Sequence, residues 1–220
     1  MIDGYRVIDL HVHSHLSGCA DDEADYATEA ILRRAAQLGV DAIGFADHVL
    51  DPDAPLPPEI FAELEGRPGL ERTEALRAEL AALEGTGIPP VAVGAEVDLF
   101  YEGRPSISPA ARPRLDHAPF SANHPPLLPE AFPDELSPED TARHLMKRTR
   151  AAIRSGMATS LAHPLLAMGL SRPDEIYACY IALGVAGLFE EARDAGVALG
   201  FSRHLITNQH LFRTADAEAL

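Results

Sequence analysis

Two histidines one residue apart, His11 and His13, open a series of residue types able to bind metal. They follow an apolar run, Val7-Ile8-Asp9-Leu10, and side chains two apart on a strand share a face, so Asp9, His11 and His13 are expected to point the same way. Two imidazoles and a carboxylate in such a row can hold a divalent ion. Residues of the same kind recur at the ends of later apolar runs. These are His48 beside Asp47, then Glu96, His124, His163 and His204, at intervals of 37, 48, 28, 39 and 41 residues. Glu96 sits inside Gly94-Ala95-Glu96-Val97, where an unpaired carboxylate would be costly to bury, so a metal or an Arg is its expected partner. The acidic stretch Asp21-Asp22-Glu23, with Asp25, lies close enough to the histidine pair for one of its carboxylates to complete a metal shell. His15, His117, His144 and His210 lie off the pattern and are read as incidental.

Such residues act together only if the chain brings strand ends to one place. Residues 7–10, 42–45, 91–94, 159–162 and 197–200 read as short strands buried on both faces, with a further, less clear strand over 118–123. Helical segments separate most of them. One is expected over 28–38, stopped by Gly39, and another over 70–84, stopped by Gly85. A third follows Ser137-Pro138-Glu139-Asp140, where a capping hydroxyl, a first-turn proline and two acids suit a helix N-terminus, and it runs to Ser155, stopped by Gly156. Strands alternating with helices predict a mostly parallel α/β fold, whose functional groups collect at the C-terminal strand ends. The stretches 51–69, 102–113 and 125–138 are too proline-rich for regular elements and are expected to be loops or lids.

Composition narrows the partners. The chain has 220 residues and a net charge of −16, and 17 of its 18 basic residues are Arg. That balance argues against an extended grip on nucleic acid and against a polybasic membrane contact. Two cysteines, Cys19 and Cys179, exclude a disulfide framework. The start of the chain has no signal-peptide pattern, and the longest apolar run, residues 176–189, is too short for a bilayer and contains two glycines. One domain over residues 1–220, in the cytoplasm, is the expectation.

The motifs Asp9-Leu10-His11-Val12-His13-Ser14, Gly44-Phe45-Ala46-Asp47-His48, Gly94-Ala95-Glu96-Val97, Ser121-Ala122-Asn123-His124 and Leu161-Ala162-His163-Pro164 resemble, in order and rough spacing, those of the polymerase and histidinol phosphatase (PHP) superfamily. The resemblance implies a distorted, TIM-like (β/α)7 barrel carrying two or three divalent ions (Mn, Zn or Fe) at its strand ends. It further implies phosphoester hydrolysis. Carried over, His11 and His13 ligate the first metal, and His48 the second with a carboxylate from 21–25, where several acids compete and Glu23 is assigned. Glu96 bridges, and His124 and His163 hold the third. The family's closing Ser-Asp-x-His has no counterpart here. Either Ser202-Arg203-His204 is a degenerate form of it, leaving His204 as the candidate catalytic residue, or the chain ends before the seventh strand, with 212–220 starting the helix that precedes it. The expected activity is hydrolysis of a small phosphorylated substrate, a phosphomonoester, by metal-activated hydroxide. The alternatives are a phosphodiesterase acting on short nucleotides and a PHP-like metal-binding domain without catalysis. A metal-dependent amidohydrolase would need a barrel lysine, and the one lysine, Lys147, falls within a predicted helix.

Overall fold

The run Ala-Ile-Gly-Phe-Ala-Asp-His forms a strand, β2 (Ala42–His48), that is buried along almost its whole length because it has a parallel neighbour on each side. Those neighbours are β1 (Ile8–Val12) and β3 (Val91–Asp98). The computed structural model describes residues 6–17, 27–64, 68–83, 85, 87–100, 103–123, 136–167, 170 and 172–200. Among these, three further strands follow: β4 (Pro119–Ser121), β5 (Ser160–Leu161) and β6 (Ala198–Leu199). The helices are α1 (Thr28–Leu38), α2 (Pro58–Glu63), α3 (Glu71–Ala81), α4 (Pro138–Arg154), α5 (Pro173–Ala182) and α6 (Val185–Asp194).

The (β/α)7 barrel is not what the chain forms. The described strands number six, in the order β1-β2-β3-β4-β5-β6, with β1 and β6 as the edges. The fold is α/β, and β1·β2, β2·β3 and β5·β6 pair in parallel. The error has a physical source. Alternating strands and helices satisfy an open parallel sheet as well as a closed one, and only a bond between first and last strands distinguishes them. The segment 212–220, read as the start of a further helix, lies outside the described residues.

The chain divides into two compact units, the described residues of Met1–Asp98 with Arg104–Pro119 and those of Leu99–Gly103 with Phe120–Leu220. In the first, odd-numbered side chains of β2 and β3 (Ile43, Phe45, Val93) meet Leu32 and Ala35 of α1 and Leu76 of α3 in one apolar core. Gly39 ends α1 in the left-handed conformation at φ 71°, and its N–H returns to the carbonyls of Ala35 and Ala36. The stretch 51–69, expected to lack regular structure, contains α2, whose Pro58 stands in the first turn, where a missing N–H costs nothing.

Two proline-rich loops of this unit are tied to each other. The Asp51 N–H donates to the Ser106 carbonyl, and the buried Asp51 carboxylate accepts from the backbone N–H groups of Ser108 at 2.8 Å and Asp53 at 3.1 Å. Burial pushes the Asp51 pKa up, but the hydrogen bonds from Ser108 and Asp53 outweigh it and hold the carboxyl below its ordinary range. A depressed carboxyl pKa contributes stability that is complete above its unfolded value and disappears as the pH falls through the folded one. Asp51→Asn is therefore expected to cost about 1.5–3 kcal/mol at pH 7, typical of bonds to a charged group, and progressively less as the pH falls below the ordinary carboxyl value. Urea unfolding of both proteins across that range checks this, and a pH-independent difference would refute it.

In the second unit, α4 begins as read from the sequence, with Ser137 Oγ accepting the Asp140 N–H at 3.1 Å and Pro138 in the first turn. Its Arg148, buried, donates from Nε to the Ala122 carbonyl at 2.8 Å, and its guanidinium also bonds the Phe100 and Leu99 carbonyls. The apolar run over 176–189 is the end of α5 and the start of α6, broken by Gly184 at φ 75°. No helix among the described residues is long and apolar enough to cross a membrane.

Candidate metal centre

Strand pairing and the two-residue alternation place the candidate ligands. Facing the side of the sheet opposite the apolar core are Gly44, Ala46 and His48 of β2 and Ala92, Gly94, Glu96 and Asp98 of β3. His48 pairs in register with Glu96, so imidazole and carboxylate are lateral neighbours. At the end of β1, His11 and His13 reach the same carboxylate. Glu96 is about 1% exposed, and its Oε2 lies 3.1 Å from His11 Nε2, 3.2 Å from His13 Nε2 and 3.3 Å from His48 Nε2. His11 Nε2 and His13 Nε2 are themselves 3.1 Å apart.

Hydrogen-bond accounting shows what this cluster needs. His48 Nδ1 is 3.2 Å from Asp98 Oδ2, and a carboxylate only accepts, so the ring proton belongs on Nδ1. In the neutral ring the Nε2 lone pair then points at the lone pairs of Glu96 Oε2. A proton on the ring relieves that opposition, and so does a cation shared by both atoms. Burial works against charging His48, but the Asp98 hydrogen bond and the charges of Asp98 and Glu96 prevail and raise its pKa above the ordinary histidine value. A tetrahedral ion with bonds of about 2.0–2.1 Å sets its ligand atoms about 3.3–3.4 Å apart, close to the distances of His13 Nε2 and His48 Nε2 from Glu96 Oε2. His13, His48 and Glu96 form a group whose ligand atoms all lie within 4.8 Å of one another. The donor set fits a divalent ion.

No protein-family model matches the chain, and no curated protein matches it. The reading of the site therefore rests on its own geometry.

Behind the ligands stands a second layer, most of it unread in the sequence. Asp98, about 1% exposed, orients His48, and its own backbone is bonded in both directions to Ser106. Ser17 Oγ accepts the His48 backbone N–H at 3.3 Å and lies 2.9 Å from His13 Nδ1, joining the histidine loop to β2. The signals were the spacings Glu96-x-Asp98, two apart on one strand, and His13-x-x-x-Ser17. A partner that holds the far nitrogen of a ligating imidazole typically carries about 10–100-fold of metal affinity. Asp98→Asn is expected to weaken binding by that factor with little change in fold. Competition against a chromogenic chelator measures it, and unchanged affinity would remove Asp98 from the centre.

Two expected neighbours face elsewhere. Asp9 is exposed and accepts the His11 backbone N–H at 3.1 Å, because pairing slips between Asp9 and Val12 and breaks the simple alternation. Asp47, one residue from His48, points to the other face. It accepts the Ser14 N–H and hydroxyl, each at 2.6 Å, and so pins the histidine loop. His163 belongs to the second unit, where Nδ1 lies 3.0 Å from Asn123 Oδ1. Glu23, His124 and His204, with Asp21, Asp22, Asp25 and His210, lie outside the described residues.

His117, read as incidental, is instead buried on the ligand-bearing face of the sheet. Its ring occupies the space left by two glycines: a methyl group added at Gly44 would come within 2.7 Å of Nε2, and one at Gly94 within 2.8 Å of Cδ2 and Cε1. Neither ring nitrogen makes a hydrogen bond of good geometry among the described residues, although the Phe45 backbone lies close enough to favour the charged ring. Burial holds its pKa below the ordinary histidine value, against the pull of the Asp116 carboxylate.

Proposed function

We propose that the chain is a divalent-metal-dependent hydrolase of small phosphomonoesters, with His11, His13, His48 and Glu96 among the residues that hold its two or three metal ions. The observation that carries this reading is the convergence of three imidazole nitrogens on one buried carboxylate oxygen. A bound divalent ion supplies a water of lowered pKa and positive charge against the phosphoryl oxygens. The chain's own residues prepare for it: Asp98 keeps the His48 Nε2 lone pair turned toward Glu96, and Ser17 restrains the His13 ring. Glu96 brings the formal negative charge that three neutral rings lack. The motif order from Asp9 to Pro164, which resembles that of PHP phosphoesterases, supports phosphoester chemistry. A chain of net charge −16 disfavours a polyanion, which favours a small ester as substrate.

Purified protein supplied with Mn²⁺ or Zn²⁺ is expected to hydrolyse p-nitrophenyl phosphate faster than the bis-ester, and His11→Ala to lose that turnover. Faster cleavage of the bis-ester would make the chain a phosphodiesterase. Bound metal without turnover of either would leave a metal-binding domain without catalysis.

A further inference from the structure

Asn123 makes three hydrogen bonds that leave its amide only one orientation. Its Nδ2 lies 3.0 Å from the His163 carbonyl oxygen and 2.7 Å from that of Leu166. Both are acceptors, so the amide must present its NH₂ group to them and its Oδ1 to the remaining partner, His163 Nδ1, at 3.0 Å. Oδ1 cannot donate. The neutral His163 ring is thereby required to carry its proton on Nδ1 and its lone pair on Nε2, opposite to the preference of free imidazole side chains in water.

The backbone held by the same amide is strained. His163 has φ 31° and Leu165 φ 63°, left-handed values that non-glycine residues rarely adopt. His163 also precedes Pro164, which ordinarily drives the preceding residue to an extended conformation. The two carbonyls bonded by Asn123 Nδ2 bracket this turn, and the Leu166 N–H closes it onto the His163 carbonyl at 3.2 Å. Strain of this kind persists where surrounding bonds over-determine it, and it gathers at sites that must aim a side chain. Asn123 is itself buried, so its bonds are not exchanged for water.

We propose that Asn123 is a positioning residue that locks His163 in the Nδ1–H form, with Nε2 kept as a lone-pair donor for a divalent cation. The cation half rests on the metal-dependent reading above, whereas the lock does not.

Protein labelled with ¹⁵N-histidine, stripped of metal and held at a pH where the rings are neutral, tests the lock by NMR, with His163→Gln assigning the signals. His163 is expected to show a protonated Nδ1 and an unprotonated Nε2. In Asn123→Leu the ratio of the Nδ1–H to the Nε2–H form is expected to fall about tenfold, the worth of one such bond. Asn123→Asp retains an acceptor for Nδ1 and should keep the wild-type pattern. It loses the same two amide donor bonds, so a merely structural role would make the two variants alike. A protonated Nε2 in the wild type overturns the proposal even if Asn123→Leu does not fold, as does an unchanged ratio in that variant. Adding Zn²⁺ should then shift His163 Nε2. No shift, with Nδ1–H retained, overturns the cation half and leaves the lock standing.

Discussion

Glu96→Gln is expected to abolish metal retention while leaving the fold intact. The two side chains have nearly the same shape, so the buried site loses a charge and gains no cavity. The glutamine amide can still hydrogen-bond the imidazole nitrogens that face Glu96 Oε2, so the metal-free protein should keep the wild-type fold. What disappears is the only formal negative charge among the four converging ligands. Residues that merely orient a ligand carry about 10–100-fold of affinity, so loss of this central ligand should cost at least about 100-fold. A ligand present at 100 times its Kd stabilises a fold by about 2.7 kcal/mol, and most of that increment should vanish in the variant. Elemental analysis after dialysis, with thermal unfolding in the presence and absence of Zn²⁺ or Mn²⁺, reads both quantities. Wild-type metal content in Glu96→Gln would sink the centre as described.

The second large effect concerns a residue with no chemistry. Gly94→Ala is expected to destabilise the first unit by about 3 kcal/mol or more, the upper end of overpacking costs. An added methyl group would clash with the carbonyl oxygen of His117, a backbone atom that cannot swing aside. That carbonyl accepts the Ala95 N–H, and the neighbouring Asp116 N–H is bonded to the Val93 carbonyl, so the segment is stitched to β3 on both sides of the clash. Because the obstacle is backbone, His117→Ala should not rescue the variant. Urea unfolding of the single and double variants decides the matter. A loss below about 0.5 kcal/mol, the level of ordinary surface substitutions, would show that the segment yields.

The ease with which these residues could be read from sequence varied for identifiable reasons. His11, His13, His48 and Glu96 stand out because ligand types at the ends of apolar runs are conspicuous, and parallel pairing then makes His48 and Glu96 neighbours. Asp98 escaped because β3 runs four residues past the expected strand end at Gly94. Asp9 shares a face with the histidines only under strict alternation, which the slip in strand pairing breaks. His117 was passed over because nothing local marks it. Its place depends on glycines 73 and 23 residues earlier, which leave room for a ring on the sheet. The helices 28–38 and 138–154 were easiest, since Gly39 and Ser137-Pro138 carry their own boundaries. Whether a parallel sheet closes is a long-range property, and no short segment encodes it.

The placement of the four ligands on β1, β2 and β3 bears on how the protein folds. His11 and His13 lie two residues apart at the end of β1, but His48 is 37 residues beyond His11 and Glu96 another 48. An unfolded chain can offer an ion only the histidine pair, and the full set exists once three parallel strands have joined. Parallel pairing over such separations is slow to form, because loop closure precedes the contacts that reward it. Metal captured after that step cannot accelerate it. Its effect should fall on the reverse reaction, so saturating Zn²⁺ would slow unfolding in stopped-flow measurements and leave the refolding rate nearly unchanged. The ion would then set how long the folded chain lasts rather than how quickly it is made.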